Sequence, residues 1–101
     1  MRGVRIFVSY SRIDRALARD LVRRLRDWFR HAEVWYADSL SNGYGGWAET
    51  LRQIAACDIF ICLLSLDAVE SPYCQAELGE ALQQGKCVLP VVIRAGTPVP
   101  A

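Results

Sequence analysis

The apolar run over residues 59–64 constrains the fold more than any other part of the chain. It holds six consecutive apolar residues, Ile-Phe-Ile-Cys-Leu-Leu, directly after Asp58. Such a run is typical of a central strand in a parallel sheet, because helices cover both faces of that strand. The chain has 101 residues, enough for one small domain with one core. A parallel sheet in a single small domain is therefore the first expectation.

Strand-like and helix-like segments alternate along the chain. The predicted strands are 5–10, 33–37, 58–64 and 87–93, and the predicted helices are 11–28, 47–56 and 71–84. Such an alternation predicts an α/β fold with right-handed crossovers and helices on both faces of the sheet. Pro90 lies inside the last strand, which places that strand at an edge or a bulge.

The first helix shows a capping pattern and a helical apolar repeat. Ser11 followed by Asp14 has the form of a capping box, with Ser11 as the N-cap and Asp14 reaching back. Leucine and tryptophan then recur on one face with arginines opposite, which predicts an amphipathic helix. The apolar repeat is Leu17, Leu21, Leu25 and Trp28.

The last helix carries clear start and stop signals. Ser71 then Pro72 fits an N-cap followed by the first helical residue, and Gly85 ends the helix. Its predicted buried stripe is Cys74, Leu78 and Leu82. Residues 65–70, which precede this helix, are predicted to form a loop.

Charge and cysteine content exclude several functions. The formal net charge is +1, which argues against a nucleic-acid binder with a large basic surface. The clustered arginines are interpreted as the solvated face of a helix, with a partner-binding or nucleotide-steering patch as the alternative. They are Arg12, Arg15, Arg19, Arg23, Arg24, Arg26 and Arg30.

The four cysteines form no CxxC pair, and the single histidine, His31, supplies no metal cluster. Reduced core thiols indicate a cytoplasmic protein. No apolar run reaches membrane-spanning length.

In parallel α/β sheets, ligands bind beyond the carboxyl ends of the strands. The candidate residues there are Ser9, Tyr10, Ser11, Arg12, Asp38, Tyr44, Trp47, Ser65, Ser71, Tyr73 and Glu77. Glu77 is expected on the flank of its helix, where partial burial raises a carboxyl pKa. A solvated helix-forming glutamate is the alternative. Phosphate-loop and dinucleotide-binding glycine motifs are missing from the sequence.

Three segments in order resemble the Toll/interleukin-1 receptor (TIR) domain. Residues 6–14, Ile-Phe-Val-Ser-Tyr-Ser-Arg-Ile-Asp, are similar to the first sequence box of that family. Residues 58–65 followed by 71–78, Ser-Pro-Tyr-Cys-Gln-Ala-Glu-Leu, resemble its third strand and following helix. Residues 85–91 are similar to its fourth strand. The bacterial branch of the family is the most similar.

The resemblance implies a flavodoxin-like, three-layer αβα fold and, in the enzymatic branch, NAD+ glycohydrolase activity. NAD+ is then the substrate, and neither a cofactor nor a metal is expected. The catalytic glutamate of the family falls on Glu77 and its preceding aromatic residue on Tyr73. The expected substrate-binding residues are Ser9, Tyr10, Ser11, Arg12, Asp38, Trp47, Ser71 and Tyr73. A non-catalytic adaptor that signals through homotypic contacts is the alternative function.

The resemblance also implies partners and a setting. Other TIR domains are the expected partners, in a homo-oligomer or filament, together with a sensor or assembly domain C-terminal to this part. Residues 1–101 correspond to a TIR domain without the family's last helices and edge strand. Neither nucleic acid nor membrane is expected as a partner, and bacterial anti-phage immunity is the expected role.

Overall fold

A computed structural model describes residues 3–36 and 46–94 of the chain. The strands are β1 (Arg5–Ser9), β2 (Glu33–Tyr36), β3 (Ile59–Leu64) and β4 (Cys87–Val92). The helices are α1 (Arg15–Trp28), α2 (Gly46–Ala56), α3 (Leu66–Glu70) and α4 (Pro72–Gln83), with a 3-10 turn at Arg12–Asp14. Among these helices, none has the length and apolar character needed to cross a bilayer.

The four strands form one parallel sheet in the order β2-β1-β3-β4. The chain moves from β1 to one side for β2 and returns to the other side of β1 for β3. The direction of winding therefore reverses between β1 and β3, and the crevice for a ligand opens beyond their carboxyl ends. Ser9, the last residue of β1, is level with Cys62 of β3 at that end. The predicted parallel α/β sheet is confirmed.

Alternate strand residues build two cores on opposite faces of the sheet, because successive side chains of a strand point to opposite sides. The core on the α1 side contains Ile6, Val8, Tyr10, Ala18, Val22, Leu25, Val34, Ile61 and Leu63. The core on the α4 side contains Phe7, Ile54, Cys57, Phe60, Cys62, Leu64 and Ala81. The predicted flavodoxin-like, three-layer αβα arrangement is confirmed.

The start and the buried face of α1 differ from the prediction. Ser11 makes no capping bond with its side chain, so the predicted capping box is wrong. Asp14 is instead turned into the interior, where other partners hold it. The helix begins at Arg15 and buries Ala18, Val22 and Leu25, whereas Trp28 is 64% exposed. Leu25 belongs both to the predicted apolar stripe and to a second one that contains Ala18 and Val22. The second stripe, which has the shorter side chains, faces the sheet.

The buried stripe of α4 also differs from the prediction. The helix buries Cys74, Glu77 and Ala81, whereas Leu82 is 60% exposed. These three positions follow the i, i+3, i+7 spacing of one helix face, and the short side chain of Ala81 permits close packing. Glu77 therefore lies at the centre of the packed face rather than on its flank. Gly85, with φ of +69°, ends the helix as predicted.

The segment before α4 is helical rather than a loop. Ser65 caps α3 by accepting a hydrogen bond from the backbone nitrogen of Ala68 at 3.2 Å. Because its hydroxyl satisfies a backbone donor of the first turn, even this short segment forms a helix. The predicted loop over residues 65–70 is therefore wrong.

The strand β4 lies at one edge of the sheet, as its proline predicts. The backbone nitrogen of Ile93 donates to the carbonyl oxygen of Leu64 at 3.0 Å. In a parallel strand, the backbone N–H and C=O groups of successive residues point to opposite neighbouring strands. Those of Leu89 and Val91 therefore point to β3, as those of Ile93 do. Pro90 consequently faces outward, where its missing N–H leaves no ladder bond unmade.

Candidate active site

The N-terminus of α4 is fixed at the carboxyl end of the sheet. The Ser71 hydroxyl accepts a hydrogen bond from the backbone nitrogen of Cys74 at 3.2 Å, and Pro72 supplies the first helical residue. A serine cap followed by proline is a strong helix start. Glu77 lies in the second turn that follows, and its residue is only 3% exposed.

Ser9 is the hydrogen-bond partner of the buried carboxyl group. Its Oγ donates to Oε1 of Glu77 at 2.9 Å, and both residues are buried. Within residues 3–36 and 46–94, the other oxygen, Oε2, has no hydrogen-bond partner. One carboxyl oxygen is thus fixed to the sheet, and the second can accept hydrogen bonds from another molecule.

Burial changes the acidity of Glu77. Desolvation raises the pKa of its carboxyl group from 4.5 to about 7, and the hydrogen bond from Ser9 partly opposes that rise. Desolvation disfavours a charged carboxylate, whereas a donor to it favours the charge. At neutral pH the protonated and ionised forms are both populated, which is typical of ionisable groups at functional sites.

We expect this raised pKa to make the stability of the protein depend on pH. Between pH 4.5 and 7 the folded state binds the Glu77 proton more tightly than the unfolded state, so the free energy of unfolding falls as pH rises. The loss is about 3 kcal/mol across that range and is complete above the folded pKa. Urea denaturation of the wild type and Glu77→Gln at pH 5, 6, 7 and 8 measures it. Parallel curves for the two proteins would contradict the prediction.

Two cysteine thiols lie beside the carboxyl group. Desolvation, with smaller contributions from the nearby Cys74 and Glu77, raises the pKa of Cys62 to about 11. Desolvation also raises the pKa of the Cys74 thiol. Both thiols therefore remain protonated at neutral pH and act as apolar walls rather than nucleophiles. Cys57 is buried as well, whereas Cys87 is exposed.

An aromatic pair stands near the start of α4. The rings of Trp47 and Tyr73 meet edge to face, with centroids 5.4 Å apart and an interplanar angle of 71°. The Thr50 hydroxyl donates to the carbonyl oxygen of Gly46 at 3.2 Å, so it accepts the proton of the Tyr73 hydroxyl across 3.0 Å. This bond holds the Tyr73 ring in place while both rings remain exposed. The sequence did not indicate this role of Thr50, because its partner Tyr73 is 23 residues away and no motif in α2 distinguishes the threonine.

A second buried carboxylate, Asp14, joins three segments at the same end of the sheet. Ser65 donates a short hydrogen bond to its Oδ2, and Arg94 Nε contacts its Oδ1 at 2.8 Å. The bonds link the ends of β3 and β4 to the start of α1. Asp14 was expected as a cap, and the sequence offered no signal for partners 51 and 80 residues away.

The remaining predicted residues lie around this centre in different ways. Tyr10 is buried in the α1-side core near the Tyr36 ring, on the opposite face of the sheet from Ser9. Ser11 is half-buried, and Arg12 is exposed in the turn after β1. The structure thus brings Ser9 together with Glu77 and places Tyr10 away from it. Asp38 and Tyr44 lie outside the described residues.

A separate cleft opens at the opposite end of the sheet. Its lining includes Arg5, Glu33, Trp35 and Arg52, at the amino ends of β1 and β2 and along α2. It does not include Glu77 or Ser9, so it is not part of the candidate site. Within residues 3–36 and 46–94, no group of three or more His, Cys, Asp or Glu side chains is arranged to hold a metal ion.

Replacing Ser9 with alanine tests its hold on the carboxyl group. Because the lost hydrogen bond favours the ionised form, we expect the pKa of Glu77 to rise above about 7. Carbon NMR of the glutamate carboxyl groups measures the change. Ser71→Ala is the matched control, since it removes a serine hydroxyl that caps α4 without bonding to Glu77. An unchanged titration in Ser9→Ala would show that the bond is not made in solution.

A family model described as the TIR domain matches residues 6–101, which is nearly the entire chain and includes every described residue of the site. A comparison with curated proteins finds no significant match.

Proposed function

The chain belongs to the TIR-domain family, and from this membership and the burial of Glu77 we propose that it is an NAD+ glycohydrolase. The observation that carries the proposal is a glutamate residue, Glu77, that is only 3% exposed and lies at the ligand-binding end of a parallel sheet. Ionisable groups that are buried despite the free-energy cost of desolvation are frequent at functional sites. Because its pKa is about 7, a large fraction of Glu77 is ionised at physiological pH.

The proposed reaction cleaves the bond between the nicotinamide nitrogen and C1′ of the ribose. The bonding electron pair goes to the ring nitrogen, which becomes neutral, and C1′ acquires oxocarbenium character. Water then bonds to C1′ and loses a proton, which gives ADP-ribose; attack by a nucleophile within the ADP-ribose gives a cyclic product instead. The protein must therefore stabilise a developing positive charge on the ribose.

Glu77 is proposed to supply that stabilisation. Its Oε1 is anchored by Ser9 at 2.9 Å, which leaves Oε2 to accept hydrogen bonds from the ribose hydroxyl groups. A fixed carboxylate orients the sugar and places a negative charge beside C1′. Because the surroundings are apolar, this charge acts more strongly than it would in water.

The aromatic pair is proposed to form a wall of the pocket. The nicotinamide ring of NAD+ is cationic, and a cation is attracted to the face of an aromatic ring. Trp47 and Tyr73 are exposed, and the bond to Thr50 fixes the orientation of Tyr73. Ser71, Ser11, Arg12 and Asp38 remain proposed contacts to the rest of the substrate, with Arg12 directed to a phosphate. Tyr10 is proposed to support the loop after β1 from the opposite core.

The family membership implies homotypic contacts between TIR domains. We place the proposed enzyme in bacterial defence signalling in the cytoplasm, where assembly of several copies activates it. A sensor or assembly domain is proposed as the element that brings the copies together. The protonated core thiols Cys62 and Cys74 agree with a reducing compartment.

Release of nicotinamide from NAD+ tests the proposal. The chain is incubated with NAD+ at increasing protein concentrations and also clustered on a surface through a terminal tag, and nicotinamide is quantified by chromatography. We expect release that increases with clustering and with pH through about 7. Self-association without any release of nicotinamide would overturn the enzymatic proposal and favour the adaptor function.

A further inference from the structure

A cleft opens between α2 and the amino ends of β1 and β2, at the opposite end of the sheet from Glu77. Its volume is about 570 Å³, within the range of roughly 300–1,000 Å³ that is typical of small-molecule sites. Its lining contains no residue of the candidate active site. The proposed cleavage of NAD+ therefore leaves this cleft unused.

The two strands supply the floor of the cleft. Arg5 is level with Glu33, and Phe7 is level with Trp35, so these four side chains point to the same face of the sheet. One face of the Trp35 indole stacks on the Phe7 ring with centroids 4.9 Å apart, and the indole is only half-buried. The floor thus combines a charged end at Arg5 with an aromatic surface held in place by the core.

One face of α2 forms the facing wall. Glu49, Arg52, Gln53 and Ala56 line it and follow the i, i+3, i+4, i+7 spacing of a single helix face. Both carboxylate oxygens of Glu49 are engaged, because Oε1 accepts from Gln53 Nε2 at 2.9 Å and Oε2 contacts Arg52 Nη2. A guanidinium has five N–H donors. The wall therefore holds Arg52 by one nitrogen and leaves donors for another molecule, while its carboxylate is already occupied.

The donors of Arg5 are also incompletely used. Its Nε atom is closed off from solvent and has no hydrogen-bond partner within residues 3–36 and 46–94. The Glu33 carboxylate lies 3.2 Å away but off the direction of the N–H bond, so the ion pair contains no hydrogen bond at this atom. A buried donor without an acceptor costs free energy. Because the Glu33 side chain is 71% exposed, a better-placed anion can displace it into solvent.

We propose that the cleft binds a mononucleotide, with its phosphate on Arg5 and Arg52 and its base against Trp35. The guanidinium fork matches the oxygens of a phosphate group, and an aromatic side chain stacks on any base. Trp35 lies one strand across and two residues along from Arg5, which separates their Cα atoms by roughly 8 Å. One ribose spans a similar gap between base and phosphate.

Other ligand classes fit the cleft less well. A cation would need a free carboxylate, but Glu49 is fully engaged and Glu33 lies against Arg5. Phosphate alone would leave the aromatic surface uncovered, and a nucleoside alone would leave the arginine donors unused. The proposal does not depend on cleavage of NAD+, since the two sites share no residue.

The indole N–H signals in nitrogen–proton NMR spectra test the proposal, because the three tryptophans report on three different places. Trp35 lines the cleft, Trp47 belongs to the candidate active site, and Trp28 is exposed on α1. Single Trp→Phe variants assign the signals. On titration with adenosine monophosphate we expect a saturable shift of the Trp35 signal, with half-saturation below about 1 mM. Adenosine and ribose 5-phosphate should each bind at least about tenfold more weakly.

Replacing the arginines locates the phosphate. Arg52→Gln and Arg5→Gln should each weaken binding of adenosine monophosphate at least about tenfold, because each removes a charged donor. Arg24→Gln is the matched control, since Arg24 is also an exposed helix arginine in an ion pair, with Asp20 on α1 at 3.2 Å. It should bind as the wild type does. Because the Arg52 side chain is 72% exposed, we expect its variant to remain folded, and the rest of its spectrum verifies this.

Three results would each overturn the proposal. The first is a Trp35 signal that does not move, or a shift confined to Trp47, which would place the nucleotide at the candidate active site instead. The second is equal affinity for adenosine and adenosine monophosphate, which would remove the phosphate from recognition. The third is unchanged binding in both Arg5→Gln and Arg52→Gln.

Discussion

Replacing Glu77 with glutamine is expected to lower the rate of nicotinamide release by at least about 100-fold. Glutamine has nearly the same shape and still accepts the Ser9 hydrogen bond, but it carries no negative charge to oppose the charge on the ribose. The loss should appear in kcat, because the interaction strengthens only as the glycosidic bond breaks. Steady-state rates at several NAD+ concentrations measure it.

The matched control for this substitution is Glu80→Gln on the same helix. Glu80 lies one turn further along α4 and accepts a hydrogen bond from the Gln84 side chain at 2.8 Å, away from Ser9. We expect its rate to stay within about twofold of the wild type, since surface changes rarely affect distant chemistry. Equal rates for Glu77→Gln and the wild type would remove Glu77 from the mechanism.

Replacing Phe7 with alanine is expected to lower the free energy of unfolding by about 3–5 kcal/mol. Phe7 is 0% exposed at the centre of β1, and its ring stacks on Phe60 at 5.1 Å and Trp35 at 4.9 Å. Its removal leaves a cavity in the core beneath α2 and α4, and the two aromatic contacts are lost with it. Chemical denaturation followed by tryptophan fluorescence and circular dichroism measures the change.

A protein of this size has limited stability to lose, so a milder variant accompanies the alanine. Phe7→Leu retains most of the apolar volume and should destabilise the fold by roughly 1–2 kcal/mol. Phe29→Ala, at an exposed aromatic residue after α1, should change stability by less than about 0.5 kcal/mol. Similar losses at Phe7 and Phe29 would contradict the description of the core.

The sheet and the order of its elements followed from the sequence because their signals are local. The apolar run of β3 and the terminal signals of α4 each occupy a few neighbouring residues, and the predicted bounds of these two elements differ from the observed ones by at most one residue at either end. A continuous apolar strand is compatible with few architectures. The alternation of strands and helices then determined the layers.

The position of Glu77 could not be predicted in the same way. Residue type favoured Leu82 over Ala81 for the interior of α4, but close packing against the sheet selected the shorter side chain. The buried carboxyl group is tolerated because Ser9 donates to it, and that partner is 68 residues away in the sequence. The bond between Asp14 and Arg94 could not be predicted for the same reason, because the pattern of residues within one helix does not indicate contacts with distant parts of the chain.

Pro90 protects the exposed edge of the sheet against pairing with a strand of another molecule. The outward side of β4 offers the backbone N–H groups of Val88 and Val92, with a proline between them that has none. An incoming strand would lack its central hydrogen bond and would meet the pyrrolidine ring there, so growth by edge-to-edge strand pairing is disfavoured. The continuous ladder of backbone hydrogen bonds that builds an amyloid fibril is therefore opposed at this edge by a single residue.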